Sequence, residues 1–191
     1  MFMKKREMRG GNMLYPVPAA LVSCADRNGN TNLVTVAWTG TVCSDPPMLY
    51  ISLRKDRFSH HMIKESGEFV LNLTGESIIR ATDLCGVKSG RDTDKWALAH
   101  LTPAPSSKVS APAVAESPVS LECKVTQILE LGSHEMFLAE VVTVQADEDL
   151  FDEKDRLDLG RAGLVAYSHG EYRTLGKVLG TFGYSVRKKR K

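Results

Sequence analysis

Apolar and polar residues alternate along much of the chain, and this alternation predicts a protein built from antiparallel strands. The predicted strands cover residues 20–25, 33–42, 48–53, 69–73, 119–129 and 136–144, with shorter candidates at 164–167 and 172–175. Asn28-Gly29 lies between the first two runs and predicts a tight hairpin. Gly132-Ser133 lies between the last two long runs and predicts a second hairpin.

Helices interrupt the predicted strands at two places. Asp56 is a suitable N-cap for a helix that runs to residue 66, and Gly67 is a suitable residue to end it. Residues 76–84 predict a second helix, followed by a polar loop that contains glycine. Residues 103–118 hold four of the eight prolines and predict extended coil. These elements together predict a mainly β fold with helical insertions.

Composition narrows the class of protein. A chain of 191 residues with 42% hydrophobic residues is long and apolar enough for one globular domain. We place this domain at residues 12–185, between a flexible tail at 1–11 and a basic tail at 186–191. The net charge of +2 is too small to indicate nucleic-acid binding. No apolar run has the length of a signal peptide core or a membrane span, so we expect a soluble, cytoplasmic protein.

The basic C-terminal run and the cysteines both have ordinary structural interpretations. The basic run at residues 187–191 could bind a polyanion or act as a localisation signal, but a solubilising chain end is the interpretation we favour. Four cysteines, Cys24, Cys43, Cys85 and Cys123, are scattered without a C-x-x-C pair. This spacing predicts isolated thiols and no metal site. Adjacent residues diverge on a helix, so His60-His61 is not a metal pair either.

One predicted strand carries a face suited to a flat ligand. Large side chains alternate there with small ones, namely Val34, Val36 and Trp38 with Thr35 and other small residues. The face with the small residues leaves room for a planar ligand and offers it hydroxyl groups. The alternative is an ordinary β-branched sheet face. Trp38 would then lie opposite Thr35, so either the strand bulges or Trp38 belongs to the core or an interface.

An anion site is the second candidate. Arg54 ends a predicted strand, and Ser59 lies in the first turn of the predicted helix, where main-chain N–H groups are free. The alternative is that the arginines at 54 and 57 are simply solvated and Ser59 is an ordinary helix residue. No G-x-G-x-x-G fingerprint follows a strand, so a Rossmann domain is not indicated.

The order of these motifs resembles a known family. N-x-x-T-x-A at 32–37 is followed by S-D-P-P at 44–47, I-S-L-R at 51–54, S-H-x-M-I at 59–63 and F-x-x-N at 69–72. This order is similar to that of the flavin reductase-like proteins of the FMN-binding split barrel. The SGRDTDKW loop at 89–96 and the closing LGKVLGTFGYSV resemble the flavoredoxin branch. The resemblance covers residues 12–185 and implies a six-stranded Greek-key antiparallel barrel, a homodimer, and FMN bound near the dimer interface.

The resemblance also implies a set of cofactor contacts. Those expected along the flavin ring and its edge are Thr35, Val36, Ala37, Trp38, Thr39, Ser52 and Leu53. Those expected at the phosphate are Arg54, Ser59 and His60, with Asn72 on the ribityl side and Lys88 and Ser89 in the neighbouring loop. Lys95 is expected near the flavin N1–C2=O edge, where a positive charge stabilises reduced flavin. His134 is expected near the reactive edge, and no metal ligand is expected.

Three functions remain open from the sequence. The first is an FMN-dependent NAD(P)H oxidoreductase of the flavin reductase type, with NADH or NADPH as the donor of hydride to flavin N5 and onward electron transfer. Relatives commonly show Gly-Asp-His before the last strand, whereas Ser133 precedes His134 here. That departure keeps a second function open, a flavoredoxin-type electron carrier reduced by a redox protein partner. The third is a binding module that has lost flavin.

Overall fold

A computed structural model describes residues 3–187. Residues 188–191, which make up most of the predicted basic tail, lie outside the described residues. The strands are β1 (Val17–Pro18), β2 (Ala20–Ala25), β3 (Thr31–Val36), β4 (Thr39–Ser44), β5 (Pro47–Arg54), β6 (Glu68–Leu73), β7 (Pro103–Ala104), β8 (Ala113–Val114), β9 (Val119–Leu131), β10 (His134–Ala146), β11 (Val165–Ser168) and β12 (Glu171–Thr174). The helices are α1 (Phe58–Ser66), α2 (Ile79–Val87) and α3 (Lys95–Ala99), with short 3₁₀ turns at Glu76–Ile78, Glu148–Leu150, Leu159–Ala162 and Tyr184–Val186. In the described part of the chain, no helix combines the length and the apolar character needed to cross a membrane.

Seven antiparallel strands form one sheet in the order β3-β2-β6-β9-β10-β5-β4. Strands β3 and β4 stand at opposite edges, yet they follow each other in the chain with only Ala37 and Trp38 between them. The sheet must therefore curl until its edges meet. The Ser52 N–H donates to the Trp38 carbonyl at 2.8 Å and continues the β4–β5 pairing into the two-residue break. Counted with β3 and β4 as one interrupted strand, the barrel has the six strands that were predicted.

The interruption corrects the prediction of one continuous strand over residues 33–42. Alternation restarts after the break, so Thr39 is buried and its hydroxyl donates to the Tyr50 carbonyl at 2.6 Å. Thr39 therefore does not share the face of Thr35. Trp38 is half-buried and packs beside Tyr15, with ring centroids 6.2 Å apart, which places it outside the barrel core.

Two apolar clusters cover the two faces of β2 and β3. The first fills the barrel and includes Val22, Val34, Ile51, Phe69 and Phe137. The second packs the outer face of the same strands against α2 and α3 and includes Leu21, Leu33, Ile78, Cys85 and Trp96. Full burial of one such aliphatic or aromatic side chain contributes about 1.5–3 kcal/mol. Strand β3 is therefore fixed from both sides, and it provides a rigid wall beside α2.

The segment at residues 103–118 combines the short paired strands β7 and β8 with bends at 107–111 and a turn at 115–116, so the predicted extended coil is present only in part. It is tied to the barrel by Glu122, whose carboxylate accepts hydrogen bonds from the main-chain N–H groups of Ser107 at 2.9 Å and Lys108 at 2.6 Å. Burial of Glu122 acts to raise the pKa of its carboxyl, but these hydrogen bonds outweigh burial and the net pKa is lowered.

Candidate functional site

Three adjoining cavities form a groove along the outside of the barrel. The first, of about 340 Å³, lies between the ends of β3 and β5, the start of α1 and the loop between α2 and α3. The second, of about 170 Å³, lies beside β5, and the third, of about 390 Å³, lies beside β1, β11 and β12. Arg57 lines all three, and the segment from Thr35 to Trp38 separates the second from the third.

The first cavity is rich in positive charge. Its charged lining consists of Arg54, Arg57, Lys88, Arg91 and Lys95 against the single carboxylate of Asp56. We name this the basic cavity. Its acceptors are mostly main-chain carbonyls, because Arg57 Nη1 donates to Gly86 O at 2.9 Å and Arg91 Nη2 donates to Asp56 O at 3.3 Å. Carbonyl groups carry no net charge, so the cations stay uncompensated and the basic cavity favours an anionic ligand.

The start of α1 faces this cavity without a side-chain cap. The predicted cap by Asp56 is wrong, because Arg57 occupies the N-cap position and no side chain caps the helix. The Asp56 carboxylate instead lies 3.4 Å from Nε of Arg54. Gly67 ends the helix in the left-handed conformation, as predicted. Uncapped N–H groups in the first turn are ready donors for an anion.

Ser59 is fixed at the edge of the basic cavity by a neighbouring strand. Its side chain is 1% exposed, and Nδ2 of Asn32 donates to Ser59 Oγ at 2.8 Å. Since Asn32 occupies an acceptor position, the Ser59 O–H remains a donor. Gly90 comes so close that a Cβ there would lie 2.3 Å from Asn32 Oδ1. The glycine therefore allows the α2–α3 loop to pack directly against this pair.

The wall of the groove along Thr35 to Trp38 is smooth because its polar atoms are used internally. The Thr35 hydroxyl donates to the Thr82 carbonyl of α2 and is not free for a ligand. A Cβ on Gly86 would lie 3.2 Å from Thr35 Cβ, so α2 packs closely against the strand here. What the groove offers a flat ligand is therefore close-packed surface and main chain, and less hydroxyl bonding than the sequence predicts.

His134 enters the second cavity as the first residue of β10, directly opposite Arg54 in the strand register. Ser133 Oγ lies 2.8 Å from His134 Nδ1. Burial lowers the pKa of His134, and Arg54 lowers it further, with partial opposition from Asp56. The imidazole is therefore neutral at neutral pH and can donate or accept a hydrogen bond at the groove.

Aromatic side chains line the third cavity. Tyr15, Trp38, Tyr167 and Tyr172 all contribute, and Tyr167 lies 5.6 Å from Tyr172 between ring centroids. Tyr172 Oη donates to Asp83 at 3.0 Å, and burial together with Asp83 raises the pKa of Tyr172 to about 12. Local sequence gives no signal for this cluster, because the pairing of β1 with β11 brings these distant residues together.

Most of the predicted contacts meet in the groove. Those that line it are Thr35, Val36, Ala37, Trp38, Ser52, Leu53, Arg54, Ser59, Lys88, Ser89, Lys95 and His134. Lys95 lines the basic cavity together with Ser59, and its expected place near the flavin N1–C2=O edge stays a prediction.

Thr39, His60 and Asn72 do not line the groove. Thr39 is turned inward by the strand break, as described above. His60 is buried, with Nε2 at 2.9 Å from the Glu135 carboxylate, so it fastens α1 to β10 instead of contacting a phosphate. Asn72 is buried, and its amide accepts from Val114 N–H and Ser120 Oγ while donating to Leu21, Ser23 and Val70. These three expectations are corrected to structural roles.

Three further residues line the basic cavity without having been named among the expected contacts, namely Asn32, Arg57 and Arg91. Each had a signal, since Asn32 begins the N-x-x-T-x-A motif, Arg57 precedes Ser59 at the helix start, and Arg91 lies within SGRDTDKW. Among residues 3–187, no group of three His, Cys, Asp or Glu side chains is placed to hold a metal ion. The four cysteines are free thiols, of which all but Cys43 are buried.

The fold is a closed antiparallel split barrel with a basic groove on its surface. The sequence model of the family described as "Flavin reductase like domain" matches residues 11–176. The chain belongs to this flavin reductase-like family, and the predicted FMN-binding split-barrel class is confirmed.

Solved structures and a curated relative agree with this assignment. Flavoredoxin of Desulfovibrio vulgaris (Miyazaki F) superposes with a TM-score of 0.89 and 31% identity, covering 96% of this chain and 100% of that one. A protein of Shewanella frigidimarina that is described as having a split barrel domain superposes with a TM-score of 0.81 and 27% identity, covering 91% of this chain and 89% of that one. The reductase component of a Rhodococcus opacus 4-nitrophenol monooxygenase is 30% identical over 112 residues, which cover 59% of this chain and 57% of that protein.

Proposed function

We propose that the groove binds FMN and that the protein is an FMN-dependent oxidoreductase. The observation that carries this proposal is the basic cavity, in which Arg57, Arg91 and Lys95 direct hydrogen bonds to main-chain carbonyls and keep their charge available. A phosphate dianion supplies the charge that is missing there. The hydroxyl of Ser59 and the uncapped start of α1 supply further donors.

The rest of the groove suits the remainder of the cofactor. The wall from Thr35 to Trp38 is close-packed and continues from the basic cavity, so a planar ring system attached to a phosphorylated chain can lie along it. Ser52, Leu53 and His134 line the second cavity, where the wall continues. Bound FMN would supply the hydride and electron chemistry, while these residues hold and orient its ring.

For the reaction type, we place NADH or NADPH as the electron donor, as in a flavin reductase. The neutral imidazole of His134 beside Arg54 offers a hydrogen bond at the ring end of the groove without adding a second charge. The similarity to a reductase component of a monooxygenase supports this reading of the family membership. No side chain needs to act as a nucleophile, because the cofactor carries the chemistry.

A second candidate function is a flavoredoxin-type electron carrier. Two observations favour it: the similarity to the Desulfovibrio flavoredoxin spans nearly both whole chains, and Ser133 stands where flavin reductases commonly have Asp. In that case the electron donor would be a redox protein and not a nicotinamide. The difference lies in the donor alone, since both functions use the same bound flavin.

We also propose that the protein works as a homodimer. The segment after β12 leaves Val178, Leu179 and Phe182 exposed on this chain, and a second copy would cover such a run of apolar side chains. The predicted cytoplasmic location remains a prediction.

The experiment that tests the function is an anaerobic spectrum. Purified protein is saturated with FMN and then mixed separately with NADH, NADPH and a reduced ferredoxin. Loss of the flavin absorbance within seconds of adding a nicotinamide supports the reductase, and loss with ferredoxin alone supports the carrier. A protein that neither contains nor takes up FMN would refute both and favour a flavin-free module.

A further inference from the structure

We propose that Lys95 is the buried counter-cation of the FMN phosphate, and that it sets the preference for FMN over unphosphorylated riboflavin. This inference rests on the proposed function. It assigns to Lys95 a role at the phosphate in place of its expected role at the ring edge.

The surroundings of Lys95 lack an acid. The residue is 4% exposed, and Nζ donates to the main-chain carbonyls of Leu33 at 2.7 Å and Cys85 at 2.8 Å. Among residues 3–187, no ion pair includes Lys95. An ammonium group has three N–H donors, so one donor is left after these two bonds in a residue that lines the basic cavity.

A buried ammonium without a counter-charge is unfavourable, and proteins commonly respond by favouring its neutral form. Burial lowers the pKa of Lys95, and the nearby Arg57 lowers it further. The adjacent carboxylate of Asp94 is engaged elsewhere, because it accepts from the N–H groups of α3. A ligand phosphate in the basic cavity would remove this penalty.

Other charged groups around the cavity do not share this arrangement. Arg54, Lys88 and Arg91 are exposed to solvent, and Asp56 lies beside Arg54. Burial raises the pKa values of the Cys24 and Cys85 thiols to about 11, so they stay uncharged through neutral and mildly alkaline pH. Lys95 is therefore the group whose protonation should respond most strongly to a bound phosphate.

FMN affinity should depend on pH through the protonation of Lys95. The pKa of Lys95 is lowered in the free protein and should be higher when a dianion is bound. FMN affinity should then be constant below the free-state pKa and fall as pH rises between the free and bound values. Arginine at this position remains protonated throughout, so it should remove the slope.

The test compares Lys95→Met with Lys108→Met as the matched control, since Lys108 is an exposed lysine that lines none of the three cavities of the groove. Dissociation constants for FMN and riboflavin are measured by quenching of flavin fluorescence, and thermal melting checks folding. Lys95→Met should weaken FMN binding by about 10- to 100-fold, as expected for a hydrogen bond between charged groups, and change riboflavin binding by less than about 3-fold. Lys108→Met should change both affinities by less than about 3-fold, because Lys108 is exposed to solvent and lies outside the groove.

A second measurement keeps the test decisive if Lys95→Met does not fold. FMN affinity of the wild type and Lys95→Arg is followed between about pH 7.5 and 10.5, a range that reaches the ordinary pKa of a lysine and in which a phosphate monoester stays dianionic. The wild-type affinity should fall with rising pH and that of Lys95→Arg should stay level. Equal losses for FMN and riboflavin in Lys95→Met, a level wild-type profile, or the same slope in both proteins would overturn the role of Lys95. A wild type that binds neither flavin would instead refute the proposed function.

Discussion

Arg57→Ala is the substitution that tests most directly where the FMN phosphate binds. Arg57 lines all three cavities, is half-buried, and donates through Nη1 to Gly86 O at 2.9 Å. Its remaining N–H donors are available to a phosphate. A hydrogen bond between charged groups contributes about 1.5–3 kcal/mol, so FMN affinity should fall by roughly 10- to 150-fold. Loss of the bond to Gly86 should lower the free energy of unfolding by only about 0.5–1.5 kcal/mol.

Arg54→Ala is the matched control on the same cavity. The Arg54 side chain is 56% exposed, and its Nε lies 3.4 Å from the Asp56 carboxylate, which competes with a ligand for the guanidinium. Solvent screening limits such an exposed pair to about 0.2–1 kcal/mol, so the loss of FMN affinity should be about 5-fold or less.

The assay is a fluorescence titration of each variant with FMN and with riboflavin. Arg57→Ala should reduce the affinity for FMN far more than the affinity for riboflavin, and Arg54→Ala should have a small effect on both. A larger loss of FMN affinity in Arg54→Ala, or equal losses for the two ligands in Arg57→Ala, would contradict the placement of the phosphate.

Three other substitutions test neighbouring parts of the structure. Glu122→Gln should lower the free energy of unfolding, measured in urea at pH 7, by about 2–4 kcal/mol. Folding lowers the pKa of Glu122, so the extra stability of the wild type should disappear as pH falls below the unfolded-state pKa and through the folded-state pKa. A stability difference between wild type and variant that persists in acid would contradict the role given to the ionised carboxylate. Gly90→Ala should displace the Asn32 side chain and weaken FMN binding by about 10-fold, with little change in riboflavin binding. Unchanged FMN affinity would show that the α2–α3 loop can move to accommodate the added methyl group. Asn72→Ala should lower the free energy of unfolding by about 2–4 kcal/mol and leave the FMN affinity of the folded fraction unchanged. A selective loss of FMN affinity would instead support the ribityl contact that the resemblance implied.

The elements that the sequence predicts well are those with strong local patterns. Alternation located the long strands, the Asn28-Gly29 turn located the first hairpin, and Gly67 located the end of α1. Each of these signals depends on neighbours within a few residues. The break at Ala37 and Trp38 has a different cause, because the chain passes there from one edge of the sheet to the other to close the barrel.

The site residues also divide into those with a local sequence signal and those placed by distant parts of the chain. Arg54 and Ser59 were predicted from their places at a strand end and a helix start, and the structure brings both to the basic cavity. His60 was placed at the phosphate by resemblance, yet the spacing to Ile63 on α1 already favoured the buried face of the helix. The partner that holds His60 is Glu135, 75 residues away, which no local pattern could supply.

The central claim is that a phosphorylated flavin lies in the groove with its phosphate in the basic cavity. A crystal structure of the protein grown with FMN in excess tests this most directly. We expect phosphate oxygens within hydrogen-bonding distance of Arg57, Ser59 and Lys95, with the flavin ring along Thr35 to Trp38. FMN bound elsewhere, or a groove filled by the protein's own side chains in that crystal, would contradict it.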